Sequence, residues 1–248
     1  MNFPKKISPD RIRDSIVEVK YASSIPFQVL IGFFYNSLDD TYIYTNQPIS
    51  SSQINPQISL SNEIAIFGGQ NFFFTDKIKI QLQPNSLIFN CINEYIGWDE
   101  YRLEIEKTLK QFFTLKDIEK YTRIGVRYVS EYPEMDIKNC VKFDFTFGLS
   151  EVKSDTYLFR SEFIWDEHRV ILNLQHKAPV LKTKVDKNKA EITSVPVSII
   201  DIDVIADKLE INNLEKLMEY IDKVHQNEKE IFFKILKDDF LKSLKLEY

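Results

Sequence analysis

Cysteine and histidine are scarce in this sequence. Its 248 residues include two cysteines, Cys91 and Cys140, and three histidines. The cysteines lie far apart and belong to no C-x-x-C motif, which favours two reduced thiols inside the core. A zinc site would use nearly all of these residues, and no two histidines have H-x-x-x-H spacing. We therefore expect neither structural zinc nor a bound cofactor.

Long apolar runs are also missing. The longest, IPFQVLIGFFY at residues 25–35, is shorter than the roughly 18 apolar residues of a membrane helix. The N-terminal stretch carries lysine and arginine but lacks the apolar segment of a secretory signal. These absences predict a cytoplasmic protein with no membrane partner.

Common catalytic and nucleotide-binding motifs are absent as well. The sequence contains no G-x-x-x-x-G-K-[ST], G-x-G-x-x-G, H-E-x-x-H or G-x-S-x-G pattern. Phosphate loops, zinc proteases and hydrolases with a nucleophile elbow therefore have no support. We leave the question of enzymatic activity open and favour a protein that is not an enzyme.

The charge balance limits binding to nucleic acid. The formal net charge is -5 and the pI is about 5.4, which argues against a surface that binds nucleic acid throughout. We interpret the basic residues 177–189 as a long solvated hairpin loop. Its lysines are Lys177, Lys182, Lys184, Lys187 and Lys189. Contact with nucleic acid or another acidic partner through this loop is a minor alternative.

Periodicity in the first half predicts strands mixed with helices. Residues of alternating polarity predict a strand at 14–22 and a β-hairpin over 78–91. Ser24 as a cap candidate and Pro26 in the first turn predict a buried helix to about Leu38, and apolar residues at helical spacing predict an amphipathic helix at 97–113.

The second half repeats this theme. Alternating stretches at 138–149, 155–165, 167–176 and 195–204 predict strands, and helical spacing resumes from Ile211 to Leu244. A turn within this region carries a polar cluster that we expect to be solvated. The cluster consists of Glu162, Asp166, Glu167 and His168.

Together these elements predict a single α+β domain over residues 1–248. Hairpins dominate and few β-α-β crossovers occur, so we expect a large, mostly antiparallel sheet with amphipathic helices mainly on one face. A hairpin followed by a helix occurs in each half. The domain could therefore consist of two loosely repeated halves, with a subdomain division near 133–140.

Two arginines share one face of the predicted strand TRIGVRYVSEY at 122–132. Arg123, Gly125 and Arg127 alternate with apolar residues on the other face. The later strand IIDIDV has Asp201 and Asp203 on one face, so the simplest interpretation is a structural ladder of arginine and aspartate between neighbouring strands.

Two functional interpretations of the same strands stay open. Gly125 would let a carboxylate or phosphate approach the backbone between the guanidinium groups of Arg123 and Arg127. Asp201 and Asp203 could also bind Mg²⁺, although no third carboxylate is placed near them by spacing.

Several stretches together resemble a known family. In chain order they are IVEVKY, GWDEYRLEIEKTLKQF, RIGVRYV, IIDIDV and VHQNEKEIFFKILKDDFLKSL. They resemble an uncharacterised, sporadically distributed family of bacterial proteins whose strand reads R-x-G-L-R-Y-I-N, with Val129 and Ser130 at the last two positions here. The resemblance covers nearly the full length but implies no activity or catalytic residue. The family's patchy occurrence implies accessory genes, such as those of defence or mobile elements.

These observations lead to two functional hypotheses. The first is a non-enzymatic binding protein that uses the polar face or an exposed edge of its sheet to bind a protein partner or a second copy of itself. The alternative is a phosphate- or nucleotide-sensing site, or a Mg²⁺-dependent one, built from Arg123, Arg127, Asp201 and Asp203.

Overall fold

The strands and helices alternate along the chain much as the periodicity predicts. The computed structural model describes residues 3–4, 6–47, 70–115, 117–133, 135–142, 156–186 and 189–247. The strands there are β1 (Lys6–Ser8), β2 (Ile12–Ser23), β3 (Ile43–Gln47), β4 (Gln70–Phe74), β5 (Ile78–Gln83), β6 (Ser86–Cys91), β7 (Ile118–Tyr132), β8 (Tyr157–Trp165), β9 (His168–Asp186), β10 (Lys189–Ala206) and β11 (Lys245–Glu247). The helices are α1 (Phe27–Ser37), α2 (Trp98–Phe113), α3 (Ile137–Cys140), α4 (Leu214–Ile235) and α5 (Asp238–Ser243).

Within the described part of the chain, nine strands form one antiparallel sheet, with helices packed against it. The strand order is β3-β4-β5-β6-β2-β7-β10-β9-β8. A separate two-stranded sheet pairs β1 with β11, where Ile7 lies opposite Leu246. The predicted α+β class, with a large antiparallel sheet, is confirmed.

The strand order repeats between the two halves of the sequence. In the first half β2 is followed across the sheet by β6, β5, β4 and β3, and in the second half β7 is followed by β10, β9 and β8. In both halves the first strand therefore lies beside the last one, and a helix, α2 or α4, follows that last strand. The hairpin-plus-helix repetition seen in the sequence is thus a feature of the topology.

Most of the predicted elements are confirmed, and the stretch 138–149 needs a local correction. The hairpin pairs β5 with β6, and the two helices predicted in the first half are α1 and α2. The first was predicted to be buried, but Phe33 and Tyr35 of α1 are exposed. The stretch 138–149 does not begin as a strand, because Asp136 accepts a hydrogen bond from the Lys138 backbone and caps the short helix α3. Residues 143–149 of that stretch lie outside the described ranges.

The lysine-rich stretch is not a loop, so this prediction is wrong. Residues up to Asp186 belong to β9, and β10 begins at Lys189. The backbone register places Lys184 opposite Glu191, and Lys189 opposite Asp186. β-Branched residues between the lysines favour an extended backbone. Polar composition alone therefore gave a misleading indication of a loop.

Contacts divide the chain into two compact units. The first unit comprises Met1–Ser15, Val126–Ile205 and Lys223–Tyr248, and the second comprises Ile16–Gly125 and Ala206–Asp222. Their boundaries fall inside β2, β7, β10 and α4. The predicted subdomain division near 133–140 stays a prediction.

Aromatic side chains build the core of the second unit. The ring of Phe34 in α1 contacts Phe73 of β4, with centroids 4.9 Å apart, and Phe112 of α2, with centroids 5.2 Å apart. Tyr21 of β2 also contacts Phe112, at 4.9 Å. These four side chains are almost completely buried, so one aromatic cluster joins both helices to the sheet.

In the first unit, α4 packs against one face of the sheet. His225 lies against the ring of Tyr128 on β7, and Lys234 lies over the ring of Trp165 on β8. Since neighbouring residues of a strand point to opposite faces, Arg127 lies on the face that α4 does not cover. Among the described residues, none of the helices has the length and apolarity needed to cross a membrane.

Candidate functional site

A row of polar side chains crosses four neighbouring strands of the first unit, on the face away from α4. The Arg127 guanidinium donates to both carboxylate oxygens of Asp201, with Nε–Oδ1 at 2.8 Å and Nη2–Oδ2 at 2.9 Å. Asn173 donates from Nδ2 to Asp201 Oδ2 at 2.9 Å, and Arg160 donates from Nη1 to Asn173 Oδ1 at 3.0 Å. We call Arg127, Asp201, Asn173 and Arg160 the polar row.

The buried member of the polar row is the aspartate. The Asp201 side chain is 8% exposed, whereas that of Arg127 is 44% exposed. Hydrogen bonding to Asp201 raises the pKa of Arg127, and paired N–H donors match the two carboxylate oxygens in geometry. The ladder predicted between RIGVRY and IIDIDV is confirmed for Arg127 and Asp201.

This difference in burial predicts unequal costs when either partner is removed. Arg127→Met keeps the apolar stem but leaves a buried carboxylate whose remaining side-chain donor is Asn173, so we expect a loss of about 3 kcal/mol in the free energy of unfolding. Asp201→Ala leaves a guanidinium that can turn to water, and should cost about half as much. In a Trp98→Phe background, urea denaturation monitored by the fluorescence of Trp165, which lies in the same unit, measures both values.

A control separates the loss of charge from the loss of packing. Arg160→Met removes the arginine at the other end of the row, which contacts an amide rather than a carboxylate, and should cost less than 1 kcal/mol. Equal losses for Arg127→Met and Asp201→Ala would contradict the role assigned to the buried carboxylate.

Arg123 makes different contacts, within the second unit. Its guanidinium forms ion pairs with Glu18 of β2 and with Asp207, the latter at 3.3 Å, and its side chain is 20% exposed. Gly125 is buried in the same unit. Sequence spacing could not identify Glu18 as a partner, because the pairing of β2 with β7 is a long-range contact. The anion site proposed from Arg123, Gly125 and Arg127 stays a prediction.

Asp201 and Asp203 occupy alternate positions of β10, as the sequence predicts. Both carboxylate oxygens of Asp201 already accept hydrogen bonds, which competes with binding of a cation. In the part of the chain that the structure describes, no group of three or more His, Cys, Asp or Glu side chains is placed to hold a metal ion. The magnesium role of this pair is a prediction that the geometry does not strengthen.

Polar residues of α4 enter the core of the first unit. His225, Asn227 and Glu228 are between 5% and 8% exposed. Asn227 Nδ2 lies 2.7 Å from Nδ1 of His168, a residue that is 2% exposed. The prediction of a solvated His168 is therefore wrong, because α4 covers the end of β9 that follows the turn.

Burial shifts the pKa of these groups in opposite directions. It lowers the pKa of His225 to about 3 and raises the pKa of Glu228 to about 8, since each loses hydration of its charged form. Burial also lowers the pKa of His168. None of the described residues forms a hydrogen bond or ion pair with the Glu228 carboxyl. Helical spacing places Val224, Glu228 and Ile231 on one stripe, a signal that could have revealed this glutamate.

The outward face of β8 is a partly apolar surface. Leu158 and Ile164 are each 68% exposed, and Arg160 and Glu162 lie between them on the same face. Glu162 accepts a hydrogen bond from Arg169 of β9 at 3.2 Å. We call Leu158, Arg160, Glu162 and Ile164 the β8 strip. The alternating pattern predicted this strand, but the sequence did not show which face helices would cover.

A second exposed apolar surface lies on α1, in the other unit. This helix contains no charged residue, and its outer side exposes Val29 by 43%, Phe33 by 46% and Tyr35 by 54%. The ring of Tyr35 contacts Tyr44 of β3, with centroids 5.8 Å apart. We call Val29, Phe33 and Tyr35, together with Tyr44 of β3, the α1 surface.

No family model matches this chain, and no curated protein matches it either. The resemblance carried by the strand RIGVRY therefore stays a prediction.

Proposed function

We propose that this protein is a non-enzymatic protein-binding module that associates with a second copy of itself through the β8 strip. The observation that carries the proposal is the order of side chains along this strand. Leu158, Arg160, Glu162 and Ile164 read apolar, positive, negative, apolar. Ser161 is the midpoint of the strip. The two apolar residues lie at equal distances on either side of it, and so do the two charged residues, which have opposite signs.

Two-fold symmetry makes this order self-complementary. When two copies of the strip face each other in antiparallel directions, Leu158 lies opposite Ile164 of the second copy, and Arg160 lies opposite Glu162 of the second copy. A two-fold interface of this kind repeats every contact twice. Opposite charges favour this orientation, whereas a parallel orientation would place like charges together.

Exposed apolar area supplies the driving force. Leu158 and Ile164 are each 68% exposed, so their burial removes apolar area from water on both copies. In many protein interfaces the buried apolar contacts supply affinity and the charged pairs fix the register, and the β8 strip has both kinds of residue. The β8 strip therefore suits a protein partner better than a phosphate or nucleotide ligand.

Charge reversal tests the proposed register. Arg160→Glu alone and Glu162→Arg alone each place like charges opposite each other twice per dimer, and should weaken self-association at least tenfold, or about 1.4 kcal/mol. The double variant, with Arg160→Glu and Glu162→Arg together, restores opposite charges across the two-fold axis and should recover most of the affinity. Sedimentation equilibrium of the full chain measures each dissociation constant.

A matched apolar pair of variants tests the location. Leu158→Asp should abolish dimers, whereas Phe33→Asp on the α1 surface should leave them unchanged, because only Leu158 lies in the proposed interface. The two variants are matched, since each replaces an exposed apolar side chain by a charge. A wild-type chain that is monomeric at all concentrations up to the millimolar range would overturn the proposal. If Phe33→Asp abolishes dimers and Leu158→Asp does not, the interface lies on the α1 surface and not on the β8 strip.

A further inference from the structure

A cleft of about 220 Å³ opens beside α3 and α5 in the first unit. Tyr132, Met135, Phe240 and Leu244 contribute apolar side chains to its lining. The rings of Tyr132 and Phe240 meet edge to face, with centroids 6.0 Å apart. Tyr132 and Met135 are at most 8% exposed, so the floor of the cleft is built from well-packed side chains. Such a wall suits an aromatic ring or a short branched chain.

The two charged residues at the cleft are in different situations. Asp136 accepts hydrogen bonds at both oxygens, from the Lys138 backbone N–H at 3.0 Å and from Asn139 Nδ2 at 3.0 Å. Both oxygens therefore accept from neutral N–H groups of α3, and the carboxylate keeps its negative charge at the rim nearest this helix. The Arg11 guanidinium, by contrast, forms no hydrogen bond or ion pair with any residue in the described ranges.

We propose that this cleft binds a small apolar carboxylate, with its hydrocarbon part against Tyr132 and Phe240 and its carboxylate on Arg11. Arg11 is exposed beside the cleft, and a guanidinium binds a carboxylate through two parallel N–H donors. The cavity is smaller than the roughly 300–1,000 Å³ of sites for drug-sized ligands. The ligand is therefore about the size of a single substituted ring, with benzoate as the simplest probe.

Cys140 provides a direct measure of occupancy. Its thiol is half-buried and belongs to the cleft lining, and burial raises its pKa. Iodoacetamide alkylates the thiolate, so the alkylation rate at alkaline pH reports on access to this thiol. Saturating benzoate should slow alkylation of Cys140 in the full chain at least threefold, as followed by mass spectrometry. Cys91, which lies in the other unit, is the internal control and should react at an unchanged rate.

Two comparisons test the roles of charge and of Arg11. Benzyl alcohol has a similar ring without the carboxylate, and should protect Cys140 less than half as well as benzoate. Arg11→Gln should remove the protection by benzoate, whereas Arg13→Gln should keep it, because Arg13 pairs with Glu131 at 3.9 Å and does not line the cleft. Thermal melting of both variants shows that the fold is retained.

Saturation-transfer NMR on the benzoate ring protons gives a second readout that does not depend on cysteine chemistry. The proposal predicts transfer from the wild-type chain and its loss in Arg11→Gln. It is overturned if ten-millimolar benzoate gives neither protection nor transfer. Equal binding of benzyl alcohol, or unchanged binding in Arg11→Gln, would overturn it as well.

Discussion

Glu228→Gln is expected to stabilise the protein by about 5 kcal/mol at pH 9, while changing its stability by less than about 1 kcal/mol at pH 4. The reason is the buried carboxyl in α4, which is 5% exposed and has a pKa raised by burial to about 8 from an ordinary value of 4.5. Glutamine keeps the shape of the protonated acid but cannot ionise.

The sign of this effect follows from proton binding. Between pH 4.5 and about 8 the unfolded chain has lost the proton of Glu228, whereas the folded protein retains it. The folded state therefore binds more protons, so the free energy of unfolding falls as the pH rises through this window. The group contributes a slope of about 1.4 kcal/mol per pH unit, and the loss is complete above the folded pKa.

Burial of His225 has the opposite effect on the pH dependence of the free energy of unfolding, and at lower pH. Its pKa is lowered by burial to about 3 from an ordinary value of 6.5, so only the unfolded chain gains a proton as the pH falls through this range. The stability associated with neutral His225 is present above pH 6.5 and is lost toward pH 3. Between pH 4.5 and 6.5 the slopes from Glu228 and His225 cancel, which predicts a plateau of stability there.

Urea denaturation at half-unit pH steps measures both limbs of this profile. Wild-type stability should decline above pH 6.5, whereas Glu228→Gln should stay level to pH 9. Glu230→Gln, two residues away on a partly exposed position and paired with Lys234, is the matched control and should behave like the wild type. A decline of equal steepness in Glu228→Gln would show that ionisation of Glu228 does not cause the loss of stability.

Phe34→Ala is expected to cost about 4 kcal/mol of unfolding free energy in the second unit. The side chain is fully buried, and its ring contacts Phe73 and Phe112 edge to face. Its removal deletes the apolar contacts that join α1 to both the sheet and α2, and it leaves a cavity that rigid neighbours can fill only in part. The specific ring geometry adds to the loss.

Phe33 is the matched control, because it is the same residue type at the preceding position of α1 and is 46% exposed. Phe33→Ala should cost less than 1 kcal/mol. In a Trp165→Phe background, the fluorescence of Trp98 reports on the second unit, to which it belongs. Similar losses for the two alanine variants would contradict the assignment of Phe34 to the core.

Local patterns were informative wherever one face of an element is buried. The hairpin at β5 and β6 and the helix α2 could be predicted because their apolar residues recur at the periods of a strand and a helix. The strand structure of the lysine-rich part of β9 and β10 could not be predicted in this way. Its strands are recognisable from backbone pairing, while its composition resembles that of a loop. Polar composition is common to loops and to many strands, so it cannot by itself distinguish them.

The candidate site could be predicted only in part. Opposite charges on RIGVRY and IIDIDV were enough to pair Arg127 with Asp201, because both strands show one charged face. They were not enough to find Glu18 as the partner of Arg123, or Asn173 as the second donor to Asp201. Those contacts depend on which strands become neighbours in the sheet.

The sequence by itself determined the class of fold, the approximate bounds of most elements, and the faces on which charged residues lie. Each of these follows from the periods of two and 3.6 residues at which side chains return to the same face of a strand or a helix. The tertiary structure decided the strand order, the burial of His168 and Glu228, and the exposure of the β8 strip and the cleft beside Arg11. These depend on long-range packing, which brings together residues that no local period relates.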